Sequence, residues 1–234
     1  MKKQQYLILS KLFLYPSEGY KEDVEDCRLF LEKNYPVAAT SFERFADFIA
    51  SKKLYEIEEV FGITFHIQSI CYLDVGYVLF GEDYARGEFL RQMKNEQAKI
   101  GHDCSPELDD NLPHVLQLMS ISNDDEFIQE LAVRAVIPAV EKMSAEFQES
   151  RMKWKQKVLK KKQKAIIMED VADGNIYHNA IQTLLLVLQK DFEGIQYDNP
   201  EVIENDAFFG NNTNATTCGS CSIVKNNPIK TVRT

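Results

Sequence analysis

Glycine and proline are scarce, with 10 and 7 copies in 234 residues. A chain so short of turn formers has few tight reversals, which argues against a many-stranded fold. Basic residues are outnumbered: 27 Lys and Arg face 36 Asp and Glu, a formal net charge of −9. That balance argues against nucleic acid as the main partner, because phosphate binding wants a basic face. It fits a partner that carries positive charge. No run approaches the roughly 20 apolar residues needed to span a bilayer. Missing too are a glycine-rich phosphate loop and a serine nucleophile elbow. No two of His66, His102, His114 and His178 stand at metal-ligand spacing. Catalysis is therefore not expected.

Cysteine is thinly spread. Cys27, Cys71 and Cys104 are scattered through apolar patterns, as buried thiols of a reducing cytosol are, and not as a disulfide framework. Cys218 and Cys221 stand together near the end with the two-residue spacing that could grip a metal or close a redox disulfide. A zinc site normally needs four ligands and no second close pair exists, so a tail with two thiols is the plainer reading. The start MKKQQYLILSKLFLYP is interrupted by Lys11 and lacks a small-residue cleavage site, so no secretory signal is expected. The expected location is the cytoplasm.

What the chain does have is helical periodicity. At 44% hydrophobic and 27% charged residues it has the composition of a soluble globule that needs neither disulfide nor metal to hold its core. Tyr6, Leu9 and Phe13 mark a short helix ended by Pro16; Val24, Cys27, Phe30 and Leu31 a second, closed by Pro36. Thr40 and Glu43 have the spacing of a capping box opening a third stripe of Phe42, Phe45 and Ile49. Leu54, Ile57 and Phe61 form a fourth. FHIQSICYLDVGYVLF, Phe65 to Phe80, reads by its length as one buried helix rather than a strand pair. A helix over Tyr84 to Ile100 stops at Gly101, and a long pattern over Glu126 to Ser150 should kink or split at Pro138. A last helix spans about Ile176 to Leu188. The expectation is all-α: a single-domain bundle of roughly eight to ten helices over 1–204, with a flexible tail over 205–234.

Two stretches invite more than one reading. In RMKWKQKVLKKKQK, Arg151 to Lys164, eight of fourteen residues are basic. This is either a surface helix with lysines around a packed Trp154 or a docking face for an acidic partner or a lipid surface. In ELDDNLPHVLQLM, Glu107, Asp109 and Asp110 precede an apolar helical pattern, with Pro113 one step into it. Carboxylates there suit the unpaired N–H groups and positive dipole end of a first turn, and proline is at home in that turn.

Three stretches in order carry a resemblance: FGITF (Phe61–Phe65), CYLDVGYVLFGEDYARG (Cys71–Gly87) and ELDDNLPHVL (Glu107–Leu116). Together they resemble the nitrate reductase delta-subunit family of molybdoenzyme-maturation chaperones, relatives of the trimethylamine N-oxide and dimethyl sulfoxide reductase chaperones. Thr64-Phe65 matches a Thr-Phe-Asp ending, with His66 where aspartate is usual. Tyr72-Leu73 matches an apolar Leu-Tyr-Leu stretch, and Gly81, Asp83, Arg86 and Gly87 match Gly-Asp-x-x-x-Arg-Gly, with Asp83 one place late. Glu107, Leu108, Asp110, Leu112 and Pro113 match Glu-Leu-Pro-Asp-His-Leu-Pro, with Asp109 for the usual proline and Asn111 for the histidine. Leu14-Tyr15-Pro16 is similar to the end of the family's opening helix. The resemblance covers about residues 5 to 190 and leaves out the Cys218 tail.

The resemblance implies a helical bundle without chemistry of its own. Such a protein binds the apo catalytic subunit of a molybdenum oxidoreductase, at its N-terminal segment, until molybdenum cofactor is inserted. Export or membrane attachment follows. A monomer holding no permanent cofactor and no metal is expected. An acidic groove would receive the client peptide at Tyr72, Asp83, Arg86, Glu107, Asp109, Asp110, Leu112 and Pro113. Arg86 is expected to tie helices through Glu107 or Asp110 rather than to touch the client. Two other readings stay open: a helical adaptor for another basic peptide, and a redox or metal protein acting through Cys218 and Cys221.

Overall fold

A computed structural model describes residues 3–66, 69–160 and 176–196, with the backbone alone over 149–160. The expected tail over 205–234, with Cys218 and Cys221, lies outside the described residues, as do the side chains of Arg151 to Lys164. The described chain is all-α; its one β feature is a single antiparallel bridge between Asp74 and Asn111. No described helix is long and apolar enough to cross a membrane.

The helices are α1 (Gln4–Ser10, extended by a 3-10 turn Lys11–Phe13), α2 (Tyr20–Asn34), α3 (Pro36–Ser51) and α4 (Leu54–Phe65). Then follow α5 (Val75–Phe80), α6 (Tyr84–Lys99), α7 (Leu112–Ile121), α8 (Asp125–Leu131), a π-helical turn Ala132–Val136, α9 (Ile137–Lys160) and α10 (Tyr177–Asp191). Their apolar faces meet in one continuous core. In it α10 packs on α3 and α9, α1 on α7, α2 on α3, and α5 on α6 and α9. Tyr177 stands at the centre, its ring 5.2 Å from Phe45, 5.6 Å from Phe61 and 5.0 Å from Phe65, each edge-on. Its buried hydroxyl meets that of Tyr20 at 3.1 Å, and Tyr20 also reaches the Leu12 carbonyl at 2.7 Å.

At the other end of α10, Asp191 gathers three donors: Gln5 Nε2 at 2.6 Å, the Tyr6 hydroxyl at 2.8 Å and the Tyr35 hydroxyl at 2.7 Å. Burial, reinforced by the carboxylate, pushes both tyrosine hydroxyls up, so each stays protonated and donates.

Pro138 acts as its position suggested. It has no N–H to give the carbonyl one turn back, and its ring crowds that carbonyl. The chain answers with a π turn just upstream, closed by the Ile137 N–H on the Ala132 carbonyl, five residues back. Two expectations need correcting. Thr40 does not open α3, which starts at Pro36; its hydroxyl donates to the Pro36 carbonyl at 3.2 Å inside the helix. Pro36 both follows the end of α2, whose C-cap Tyr35 is non-helical, and begins α3, at a position where its missing N–H costs nothing.

Nor is Phe65 to Phe80 one helix. The Thr64 carbonyl accepts from the Ile70 N–H at 2.8 Å, turning the chain out of α4. Helix resumes only at Val75. Between them Leu73–Val75 pairs with Asp110–Leu112: the Val75 N–H donates to the Asp110 carbonyl at 3.0 Å and the Leu112 N–H to the Leu73 carbonyl at 2.9 Å. Extended pairing with a distant segment overrides local helical pattern here.

Candidate functional site

That pairing places the first turn of α5 against the segment that leads into α7, with α6 alongside. Gly76, in the first turn of α5, donates its N–H to Asp110 Oδ2 at 2.9 Å. The carboxylate of ELDD therefore caps α5, across the site, and not α7, the helix that follows it in sequence. Asn111 holds the N-cap position of α7 without a side-chain cap, and no acid lies in the first turn of α7. This corrects the expectation that Glu107, Asp109 and Asp110 cap their own helix.

Asp110 is fully buried. Burial pushes its carboxyl up to about 6, helped by the neighbouring Asp74 carboxylate; the Gly76 N–H and the Arg86 guanidinium pull the other way. Asp74 is held by Asn111, whose Nδ2 donates to Oδ1 at 3.1 Å. Arg86 Nη2 stands 3.8 Å from Asp74 Oδ2, and the guanidinium lies 5.0 Å over the Tyr77 ring. Tyr77 in turn meets Tyr72 edge-on at 4.6 Å. The partner of Arg86 is thus Asp74, not Glu107 or Asp110 as expected, although Asp110 feels its charge.

Close packing makes this possible. A Cβ on Gly76 would stand 2.7 Å from Asp110 Oδ2 and 2.8 Å from Phe89 Cδ1. Gly76→Ala should gain up to about 1 kcal/mol of helix propensity. Overpacking against a buried carboxylate and a buried ring costs about 1–3 kcal/mol. The clash wins, and a net loss of about 1–2 kcal/mol in urea unfolding is expected. A variant as stable as the parent would show that Asp110 can leave this position freely.

The expected site residues divide by exposure. Asp110, Leu112 and Pro113 are buried; they position the site and offer a peptide no surface, which corrects their expected direct contact. Tyr72 is 45% exposed, and Asp83 and Glu107 are exposed. Asp83 has a second task, since its carboxylate accepts the Ala85 N–H at 2.9 Å and caps α6. Tyr72, Arg86 and Asp110 do come together; no described contact links Glu107 to them. Four contributors were not singled out in the sequence: Asp74, Gly76, Tyr77 and Asn111. All stand inside the quoted stretches, but their roles depend on pairing two segments more than thirty residues apart.

Next to this centre lies the loop between α6 and α7. Gly101 ends α6 with φ of 68°, a left-handed conformation that side chains resist. Gln97, buried on α6, donates from Nε2 to the His114 carbonyl at 3.1 Å and the Asp109 carbonyl at 3.4 Å. His102 Nε2 and His114 Nδ1 are 3.0 Å apart, and Cys104 is buried beside them. Burial pushes the Cys104 thiol up to about 11, with the Asp109 and Asp103 carboxylates adding to it. Burial and the facing His102 lower the pKa of His114. No two histidines stand at metal-ligand spacing along the sequence, yet the loop folds back and joins two that stand twelve residues apart.

Among buried side-chain atoms, Asp110 Oδ1, Arg86 Nε and Gln97 Oε1 have no hydrogen-bond partner among the described residues. Most buried polar groups in folded proteins find a protein or water partner. Neither a scan against models of protein families nor a search of curated proteins finds a match for this chain.

Proposed function

We propose that this protein is a maturation chaperone of the nitrate reductase delta-subunit type. On this reading it binds the N-terminal segment of the apo catalytic subunit of a molybdenum oxidoreductase while the molybdenum cofactor is inserted. One observation carries the reading: two of the stretches on which the family resemblance rests, Cys71–Gly87 and Glu107–Leu116, converge on a single centre of Tyr72, Asp74, Gly76, Arg86 and Asp110. The third, Phe61–Phe65, lines the core beneath Tyr15, whose ring meets Phe61 at 5.6 Å and His66 at 6.2 Å.

In this reading the exposed rim supplies contact and the buried centre holds it in shape. Tyr72 is an aromatic anchor; Glu107, Asp109 and Asp83 steer a basic segment to it; Leu108, 43% exposed, adds apolar surface.

The full chain, tagged and recovered from the native host grown anaerobically, should bring with it the large subunit of a molybdopterin oxidoreductase. Deleting the gene should lower the molybdenum content of that subunit. A subunit that keeps its full molybdenum complement in the deletion strain would end the reading. Tyr72→Ala should weaken binding of the subunit's N-terminal peptide about tenfold while lowering the melting temperature by only about 2–5 °C, the loss of its edge-on contact with Tyr77.

A further inference from the structure

We propose that His102, Cys104 and His114 form a binding site for one zinc-class divalent cation, an activity separate from peptide binding. The three donor atoms lie within 4.8 Å of one another. Two imidazole nitrogens on a tetrahedral zinc stand roughly 3.3 Å apart, and a nitrogen and a thiolate sulfur roughly 3.6 Å, from metal–ligand lengths of about 2.0–2.1 and 2.3 Å. The two nitrogens are already 3.0 Å apart, so an ion would spread them slightly and draw the sulfur in.

The donor set names the class of ion. Two imidazoles and a thiol suit zinc and neighbouring transition metals and do not suit magnesium or calcium, which take oxygen. On binding, the thiol proton leaves to solvent. The proton between the two rings moves to the outer nitrogen of whichever ring carries it, and both facing lone pairs turn to the metal. Three protein ligands leave the fourth tetrahedral position to solvent.

Supporting groups are in place around the ligands. Gln117 neighbours the His114 ring as a polar acceptor, the kind of outer partner that fixes tautomer and orientation in metal-bound histidines. Gln97 fixes the carbonyl of His114 itself. The His102 N–H is held by the Gln97 carbonyl at 3.0 Å, and the Cys104 carbonyl accepts the Glu107 N–H at 2.9 Å, so the loop is pinned on both sides. The carboxylates of Asp103, Asp109 and Glu107 make the surroundings negative. A bound ion would clamp the Gly101–Asp110 loop onto α7 and so brace the segment that carries Asp110.

The test uses the full chain, stripped with a chelator and titrated with Zn2+ against a chromophoric competitor, then with Co2+ followed by visible absorption. One Zn2+ per chain should bind and raise the melting temperature, and Co2+ should give the intense absorption of a tetrahedral thiolate site. Cys104→Ser and His102→Gln should each weaken binding more than about a hundredfold, beyond the 10–100-fold that loss of an outer-shell partner brings. The Cys218→Ser/Cys221→Ser double variant should bind as the parent does. Circular dichroism of the metal-free variants separates a lost ligand from a lost fold, and His102→Gln alters only a half-buried loop residue. No binding by the parent chain would overturn the proposal. So would binding that persists in both single variants, or that vanishes in the double variant.

Discussion

Asp191→Ala is expected to be the most damaging single substitution considered, lowering stability by about 3–5 kcal/mol. The carboxylate serves Gln5, Tyr6 and Tyr35 at once, and Gln5 and Tyr6 are buried. A hydrogen bond to a charged group contributes about 1.5–3 kcal/mol, and a donor stranded in the interior costs about 1–3 kcal/mol. Three such losses do not add in full, because the side chains share one acceptor and relax together. For a chain of this size the fall corresponds to roughly 10 °C in melting temperature. Asp191→Asn, which keeps an acceptor oxygen, should recover part of the loss. Urea unfolding of the three proteins checks this, and an alanine variant within 1 kcal/mol of the parent would show the cluster to be ornamental.

The second large effect is set by pH. With Asp110 at about 6 in the folded protein and the ordinary carboxyl value of 3.8 when unfolded, the native state holds this proton more tightly. The contribution to stability is therefore fully present below about pH 4 and is lost as pH rises through about 6, a swing of roughly 3 kcal/mol at most. The charged groups that act on it are Asp74, which raises the value, and Arg86, which lowers it. Removing the guanidinium leaves two carboxylates facing each other.

Arg86→Ala should then cost about 2–3 kcal/mol at pH 7.5. That is less than the 3–5 kcal/mol of a fully buried pair, because the Arg86 and Asp74 side chains are 23% and 24% exposed and solvent screens them. At pH 5 the deficit should shrink, since a protonated Asp110 no longer repels Asp74. Asp110→Asn, in turn, should flatten the profile between pH 4 and 7. Equal deficits at the two pH values would mean that Arg86 acts through its ion pair with Asp74 and its packing on Tyr77, and not through Asp110.

Much of this architecture is legible in the chain because helix faces repeat every three or four residues and the buried ones are apolar. Phe42, Phe45 and Ile49 fall on the core side of α3, and Met93 and Gln97 on that of α6. Pro138 announces its own disturbance. What could not be read locally was pairing at a distance. The stretch from Phe65 to Phe80 is apolar over most of its length, and its hydrophobic pattern does not mark where helix gives way to the strand-like contact with Asn111. The candidate site suffers the same way. Asp110 reads as a cap for the helix that follows it and serves the one that precedes it by more than thirty residues. His102 and His114 are unremarkable at their spacing until Gly101 turns the chain back.

The position of α10 has a consequence for synthesis. Tyr177 and its neighbours fill the space between α3 and α9, and Asp191 fastens the chain's first helix to its last described one. A ribosome-bound chain that has emerged only through α9 exposes an apolar trough where α10 belongs. Packing of this core must wait for residues near Asp191 to clear the exit tunnel, so the described bundle cannot close while the chain is still being translated up to that point.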